Sequence, residues 1–244
     1  MERQKFRKIK ILGSGAFGET ILVEVLDPKQ RNEWGERVVL KKPHDKEKEF
    51  TLIQELITSA TLNAALLGIK AENIVRYLGF SRFEDYYVMI MEFIEGEDLR
   101  KRIGGVNEGH QFEIKEALDL VKQIARGLVI MHERHVFHRD IKPENILIDK
   151  QEVVKITDLG ISKVISSKEQ ASSTVGTLYY MPKEIIESKG SYQSDIYSLG
   201  VTFYELVTGR LPVTGESIYE IIEKTTKIQL EHKVEHGPGM RGTR

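Results

Sequence analysis

The 244-residue sequence contains no cysteine, which excludes disulfides and thiolate metal sites and fits a reducing compartment. It also lacks an excess of either charge. With 36 basic side chains against 37 acidic ones, composition gives no argument for a nucleic-acid or anionic-membrane partner. Long apolar runs are missing too: the opening "MERQKFRKIKILGSG" has no uninterrupted apolar core of a signal peptide, and no later stretch approaches the length that spans a bilayer. A cytoplasmic protein is the resulting expectation. There is no internal repeat and no low-complexity tract. What is present, 40% hydrophobic and 30% charged residues, is the composition of a folded globular chain. Its length can bury a substantial core in one domain or in two closely packed lobes.

From Phe6 to Leu40 the pattern is strand-like. "KIKIL", "TILVEVL" and "RVVLKK" predict three antiparallel strands, with "DPKQRNEWGE" as a polar break before the third. "KEFTLIQELITSATLNAALLG" repeats its apolar residues at three- and four-residue spacing and predicts a helix ending at Gly68. "IVRYLGF" and "YYVMIMEFI" predict two further strands. After "EGEDL" the character changes: "EIKEALDLVKQIARGLVIMHERH" is a long amphipathic helix, and only "ILID" and "VVKIT" read as strand beyond it. The class is therefore α+β, with a β-rich part of about 90 residues before a helical one and a boundary near Phe93 to Gly96.

"GSGAFGET", Gly13 to Thr20, follows one predicted strand and leads into another. Without a Cβ, Gly13, Gly15 and Gly18 let backbone N–H groups approach an anion, so such a loop can cover phosphates. A plain glycine-rich hairpin is the bland alternative. A dinucleotide-binding turn needs a helix after the glycines, and the β-branched "TILVEVL" argues against one. Lys41, at the end of "VVLK", reads alone as a solvated rim residue. Asp140 and Asn145 in "HRDIKPEN" read singly as turn formers, Lys142 as surface charge, and Asp158 in "DLG" as part of a tight turn.

Taken in order, the glycine-rich loop, "VVLK", a helix carrying Glu55, "HRDIKPEN", and "DLG" thirteen residues after Asn145 resemble the eukaryotic-type protein-kinase family. The resemblance runs from residue 6 to about residue 215. It implies a bilobal fold: a small antiparallel-sheet lobe with one main helix over 1–93, a mainly helical lobe over 94–228, and a polar tail over 229–244. It further implies ATP and Mg²⁺. Transfer of a γ-phosphoryl group needs charge neutralisation and in-line positioning rather than covalent catalysis, so cations and hard oxygen ligands carry it.

By that resemblance Lys41 contacts the α/β-phosphates and pairs with Glu55, Glu49 being the alternative. Asp158 and Asn145 hold Mg²⁺, Asp140 orients the acceptor hydroxyl and takes its proton, and Lys142 stabilises the transferring group. Leu12, Thr20, Val39 and Leu147 line the adenine pocket, Met91 is the gatekeeper, the Glu92-Phe93-Ile94 backbone meets the base, and Asp98 meets the ribose. Thr20 and Val39 stand where valine and alanine are usual, implying a slightly more polar and tighter roof. His138 is expected to be packed, Asp195 to brace the catalytic loop, and Arg139 to receive an activation-segment phosphate on Ser172, Ser173 or Thr174. Lys142 and "GTLYYMPKE" resemble the serine/threonine branch, which places Thr177 near the acceptor and gives Glu184 a structural role.

The sequence also departs from the pattern. "MPKE" replaces the usual "APE", Tyr197 replaces a tryptophan, and no arginine partner for Glu184 is evident after "GRLPVTGESIYEIIEKTTK". A shortened helical lobe follows as an expectation, with exposed apolar surface that favours a partner or self-association. It also keeps open a nucleotide-binding pseudokinase or regulatory scaffold as the alternative function; a kinase of small-molecule hydroxyls is the third reading. Glu95, Glu97, Asp98 and Glu144 near the expected substrate groove suggest basic residues before the acceptor.

Overall fold

The structure, a computed structural model, describes residues 5–15, 18–65, 69, 71–106, 108–159, 178–182, 192–215 and 217–227. Strands β1 (Phe6–Gly15), β2 (Gly18–Val25), β3 (Arg37–Pro43), β4 (Tyr77–Phe83) and β5 (Tyr86–Glu92) form one antiparallel sheet in the order β1-β2-β3-β5-β4. Alternation decides what each face does. In β3, Val38 and Leu40 pack with Phe6, Ile21, Val23 and Ile90 on one face, while Val39 joins Leu52, Leu62, Met89 and Met91 on the other. Lys41 is in phase with Val39. It therefore lies beneath the sheet, toward helix α2 (Lys46–Ala65).

The polar break before β3 is itself a helix, α1 (Pro28–Trp34), which corrects the sequence expectation. Its signals are local: Asp27 caps it by accepting from the Gln30 N–H at 2.9 Å, Pro28 opens it, and Gly35 ends it at φ 94°. None of its residues is buried, so it carries no apolar period.

The "IVRYLGF" strand also starts later than expected, at Tyr77. Its first residues turn to the second lobe instead: the Val75 N–H donates to the Ile156 carbonyl, and the Ile156 N–H to the Asn73 carbonyl, each at 2.9 Å. These two bonds stitch the sheet lobe to the helical one.

Beyond the boundary come β6 (Gly96–Asp98), α3 (Leu99–Ile103), α4 (Ile114–His132), a 3₁₀ turn (Pro143–Asn145), β7 (Ile146–Asp149), β8 (Val154–Ile156), α5 (Tyr192–Thr208) and α6 (Ile218–Lys227). β6, β7 and β8 make a small antiparallel sheet. The inner stripe of α4, including Ala117, Leu120, Ile124 and Leu128, packs on Ile146, Ile148 and Ile156 and on Leu199 and Leu206 of α5. Each fully buried leucine or isoleucine of this set contributes about 1.5–3 kcal/mol. This core is the base from which the 3₁₀ turn and β7 present their polar residues to the cleft between the lobes. Tyr197, in the usual tryptophan position, packs against Tyr180, Val201 and Leu211. On α5, Tyr192, Ile196 and Tyr204 are 51%, 52% and 42% exposed, so one side of this helix is apolar and open. Among the described residues no helix is long and apolar enough to cross a membrane.

Candidate active site

Lys41 extends from β3 into the cleft, where its ammonium donates to both Glu55 oxygens at 2.7 and 2.9 Å and to Asp158 Oδ1 at 2.8 Å. Glu55 is on the buried face of α2 and is 3% exposed. Glu49, the alternative, instead accepts from the Tyr87 N–H at 2.7 Å and lies 3.2 Å from Lys46. Geometry thus brings Glu55 to Lys41 and leaves Glu49 at the sheet edge. Ser59, buried one turn after Glu55, donates its hydroxyl to the Glu55 carbonyl at 2.8 Å. Backbone bonding of this kind satisfies a hydroxyl in an otherwise apolar position.

Lys41 and Glu55 are largely buried and Asp158 is partly exposed, and bringing the three charges together perturbs all of them. Desolvation disfavours the Lys41 ammonium, yet Asp158 and Glu55 outweigh it and hold Lys41 above the usual lysine range. Burial pushes the Glu55 carboxyl up, Lys41 offsetting only part. Asp158 is also desolvated, but the adjacent ammonium prevails and holds it below the usual carboxylate range. The Asp158 backbone takes φ 58°, a left-handed conformation that aspartate tolerates better than most residues.

Asp140, Lys142 and Asn145 meet in the second lobe, at the 3₁₀ turn and just before it. The Asn145 amide donates to the Asp140 carbonyl and to Asp140 Oδ2, each at 2.8 Å, and Lys142 Nζ lies 3.5 Å from that same oxygen. Pro143 helps form the turn that produces this convergence, closed by the Asn145 N–H donating to the Lys142 carbonyl at 3.0 Å.

Beneath the turn, Asp195 is fully buried and accepts from the His138 and Arg139 backbone N–H groups at 2.9 and 2.7 Å and from His132 Nε2 at 2.7 Å. It thereby holds Arg139 at φ 65°. His138, also fully buried, has both ring nitrogens engaged. Nε2 donates to the Thr157 carbonyl at 2.9 Å, and Nδ1 accepts from the Asp140 N–H at 3.3 Å. One histidine therefore connects the Asp140 loop to the residue before Asp158. Arg139 stacks its guanidinium 6.0 Å from the Phe137 ring centroid, and its Nε is buried with no hydrogen-bond partner among the described residues.

The cleft is lined by Leu12 and Gly13 of β1, Thr20 of β2, Val39 of β3, and Met91, Glu92 and Ile94 at and after the end of β5. Asp98 of β6, Leu147 of β7 and Asp158 complete the set that the sequence identified. Val75 and Thr157 also line it and were not anticipated, because an ordinary apolar and an ordinary hydroxyl residue carry no motif. Two expectations are refined by the contacts. The Glu92 N–H is already committed to the Arg76 carbonyl at 3.0 Å, and its carboxylate meets Lys155 at 2.9 Å and Arg76 Nε at 3.2 Å. The Asp98 carboxylate caps α3, accepting from the Lys101 N–H at 2.9 Å.

The three glycines of the loop separate by role. A Cβ on Gly18 would lie 2.0 Å from the Lys42 carbonyl oxygen, so the fold itself requires that glycine. At Gly13 and Gly15 a Cβ would meet nothing within 4 Å, so packing does not explain their small size. Neither Gly15 nor Gly18 lines the cleft. Ser172, Ser173, Thr174, Thr177 and Glu184 lie outside the described residues.

Among the described residues no group of three or more histidine, cysteine, aspartate or glutamate side chains could hold a metal ion alone. Two hard oxygen donors are available: the Asp158 carboxylate, which lines the cleft, and the Asn145 side-chain oxygen, whose amide nitrogen is spent on Asp140. That donor set fits Mg²⁺, which keeps waters and takes substrate phosphates as its remaining ligands.

Comparison with known proteins agrees with this geometry. Serine/threonine-protein kinase PrkC of Bacillus subtilis is 37% identical over 155 residues, covering 62% of this chain and 24% of the relative. Calcium-dependent protein kinase 4 of Plasmodium berghei is 32% identical over 225 residues, 91% of this chain and 40% of the relative. Ribosomal protein S6 kinase 2 alpha of Xenopus laevis is 30% identical over 231 residues, 94% and 30% respectively. The chain spans less than half the length of these curated relatives. The family model for the protein kinase domain matches residues 6–240, which takes in both lobes and every site residue above, and the chain belongs to that family.

Proposed function

We propose that this chain is a serine/threonine protein kinase that uses ATP and Mg²⁺ to phosphorylate a hydroxyl of a protein substrate. The observation that carries the reading is the triangle of Lys41, Glu55 and Asp158, closed at 2.7–2.9 Å with Glu55 buried. An ammonium restrained by two carboxylates is preorganised to meet polyphosphate, because little reorganisation is left when the ligand arrives.

Asp158 and Asn145 would hold Mg²⁺, which when bound neutralises and bridges phosphate oxygens. Lys41 would bind the α/β-phosphates, keeping its contact to Glu55 as its anchor. Gly13 and Gly15, whose size packing does not explain, support a loop through which backbone N–H groups approach those phosphates. Asp140 would orient the acceptor hydroxyl and take its proton, a role worth about 10²–10⁴-fold in rate. His138 is not the base, since both its nitrogens are engaged. Lys142, beside Asp140, would neutralise the transferring phosphoryl group. The unpartnered Arg139 Nε supports Arg139 as the receptor of a phosphate on Ser172, Ser173 or Thr174.

The test is transfer of radiolabel from γ-labelled ATP with Mg²⁺ to a mixture of proteins, comparing the chain with Asp140→Ala and Asp158→Ala. Label on serine or threonine above both variants is the expected result. Label on tyrosine alone would remove the serine/threonine assignment. Thermal stabilisation by ATP and Mg²⁺ with no transfer would replace the enzyme by a nucleotide-binding scaffold.

A further inference from the structure

Five carboxylates lie on the segment 95–98, in the 3₁₀ turn that follows Asp140, and on α5, and each is already met by a cation of the same chain. Glu95 lies 3.1 Å from Lys150, Glu97 3.1 Å from Arg102, and Asp98 2.8 Å from Lys101. Glu144, inside the 3₁₀ turn between Pro143 and Asn145, lies 3.0 Å from Arg100 Nε. Glu205 of α5 receives Arg100 Nη1 at 2.8 Å and Nη2 at 3.0 Å. The Tyr180 hydroxyl completes the group, bonded to both Glu205 and Arg100.

These pairs are not equivalent. Glu95 and Lys150 are both more than half exposed, and an exposed pair of this kind exchanges partners readily. Glu205 is fully buried, and Arg100 is 17% exposed at its side chain. A two-pronged guanidinium–carboxylate pair out of water is geometrically specific and costly to break. Arg100 therefore holds its recess against competition, whereas the outer cations do not. Without Arg100, the same recess would present a buried carboxylate, a half-exposed one in Glu144, and a phenol, directly beside the catalytic turn. That is the composition of a site for a substrate guanidinium or ammonium group.

Resting on the kinase reading above, we infer that Arg100 is a specificity-determining residue: the chain fills this acidic recess with its own guanidinium and so phosphorylates hydroxyls without selecting basic neighbours. Of the four acids that suggested a basic substrate in the sequence, Glu144 is met by Arg100, and Glu95, Glu97 and Asp98 are paired at the surface, where an incoming cation gains little.

The test uses threonine peptides in which one arginine is walked from four residues before the acceptor to four after it, with the arginine-free parent as reference. The wild-type protein is expected to treat every member within about threefold of the parent in kcat/KM. Arg100→Met is expected to favour one arginine position by at least about tenfold, relative to its own activity on the parent. A wild-type preference of that size, or a folded Arg100→Met protein that gains none, overturns the inference.

Fluorescence anisotropy on the same peptides, with alanine in place of the acceptor, reads the same ratios as binding. A chain that transfers no phosphate would therefore fail the kinase reading while still deciding this one. Where the buried Glu205 carboxylate prevents Arg100→Met from folding, Arg100→Met/Glu205→Gln neutralises it and still uncovers Glu144. A gain of about threefold is then expected, and no gain overturns the inference.

Discussion

Asp195→Asn probes the support of the catalytic turn without changing its shape. The carboxylate accepts three hydrogen bonds: His138 N–H and His132 Nε2 on Oδ2, and Arg139 N–H on Oδ1. Asparagine has one acceptor oxygen. In its better orientation the carbonyl faces His138 and His132, and the NH₂ group is turned toward the Arg139 N–H, donor against donor. One charge-assisted bond is lost, about 1.5–3 kcal/mol, and a buried N–H is left unsatisfied, about 1–3 kcal/mol. The total is roughly 2.5–6 kcal/mol, or about 5–24 °C in Tm for a domain of this size.

Arg139 stands at φ 65°, a strained backbone state that costs about 1–3 kcal/mol when nothing holds it. The turn therefore relaxes at Arg139, next to Asp140. A displacement of about 1 Å there lowers kcat about 100-fold. The cleft lining at Leu12, Val39, Met91 and Leu147 is untouched, so ATP affinity stays within about threefold of wild type. Steady-state kinetics, calorimetric ATP titration and a thermal melt report these quantities. Wild-type kcat in a variant that has lost stability would refute the claim that Asp195 acts through the turn.

Lys41→Met leaves Glu55 buried and unpaired, so denaturant melts should show a loss of about 3–5 kcal/mol; Lys41→Met/Glu55→Gln should recover much of it without recovering ATP binding. Gly18→Ala drives a Cβ into the Lys42 carbonyl and should cost about 1–3 kcal/mol, whereas Gly13→Ala should leave the melt unchanged and weaken ATP binding by calorimetry. Burial raises the Glu55 carboxyl, so on acidification the folded protein takes up this proton before the unfolded chain does. Over that interval, above the ordinary carboxylate range, ATP affinity should fall while the contribution of Glu55 to stability rises. Matched pH titrations of Glu55→Gln should show neither change.

The strands of the first lobe were readable because they are short runs rich in β-branched and apolar residues between turn signals, and β2, β3 and β5 bury side chains on both faces of the sheet. Helix α1 was not, because none of its residues is fully buried and only Trp34 packs on the core, which leaves no period; Asp27, Pro28 and Gly35 mark its ends. β6 and α3 span three and five residues, too short for any period to register. At the site, Lys41, Asp140, Asn145 and Asp158 were readable from their order and spacing.

Glu55 was preferred to Glu49 only by resemblance, since both lie on α2 and helix phase alone does not say which side meets β3. The buried set Leu52, Glu55, Ser59 and Leu62, spaced by three, four and three, resolves it. Arg100 was invisible among the cations of "DLRKRI": its partner Glu205 is 105 residues away in sequence, and no local pattern encodes a contact at that distance. Among the rim acids, Glu95 and Glu144 likewise meet cations from distant segments, Lys150 and Arg100, whereas Glu97 and Asp98 pair locally with Arg102 and Lys101.

The central claim is that Asp140 serves transfer rather than nucleotide binding. Asp140→Asn keeps the side-chain shape and removes the proton acceptor. Turnover of ATP with a threonine peptide, measured beside calorimetric affinity for ATP and Mg²⁺, tests the claim most directly. The account predicts a fall in kcat of about 10²–10⁴-fold with nucleotide affinity within about threefold of wild type. Turnover equal to wild type, with the same affinity, would contradict it.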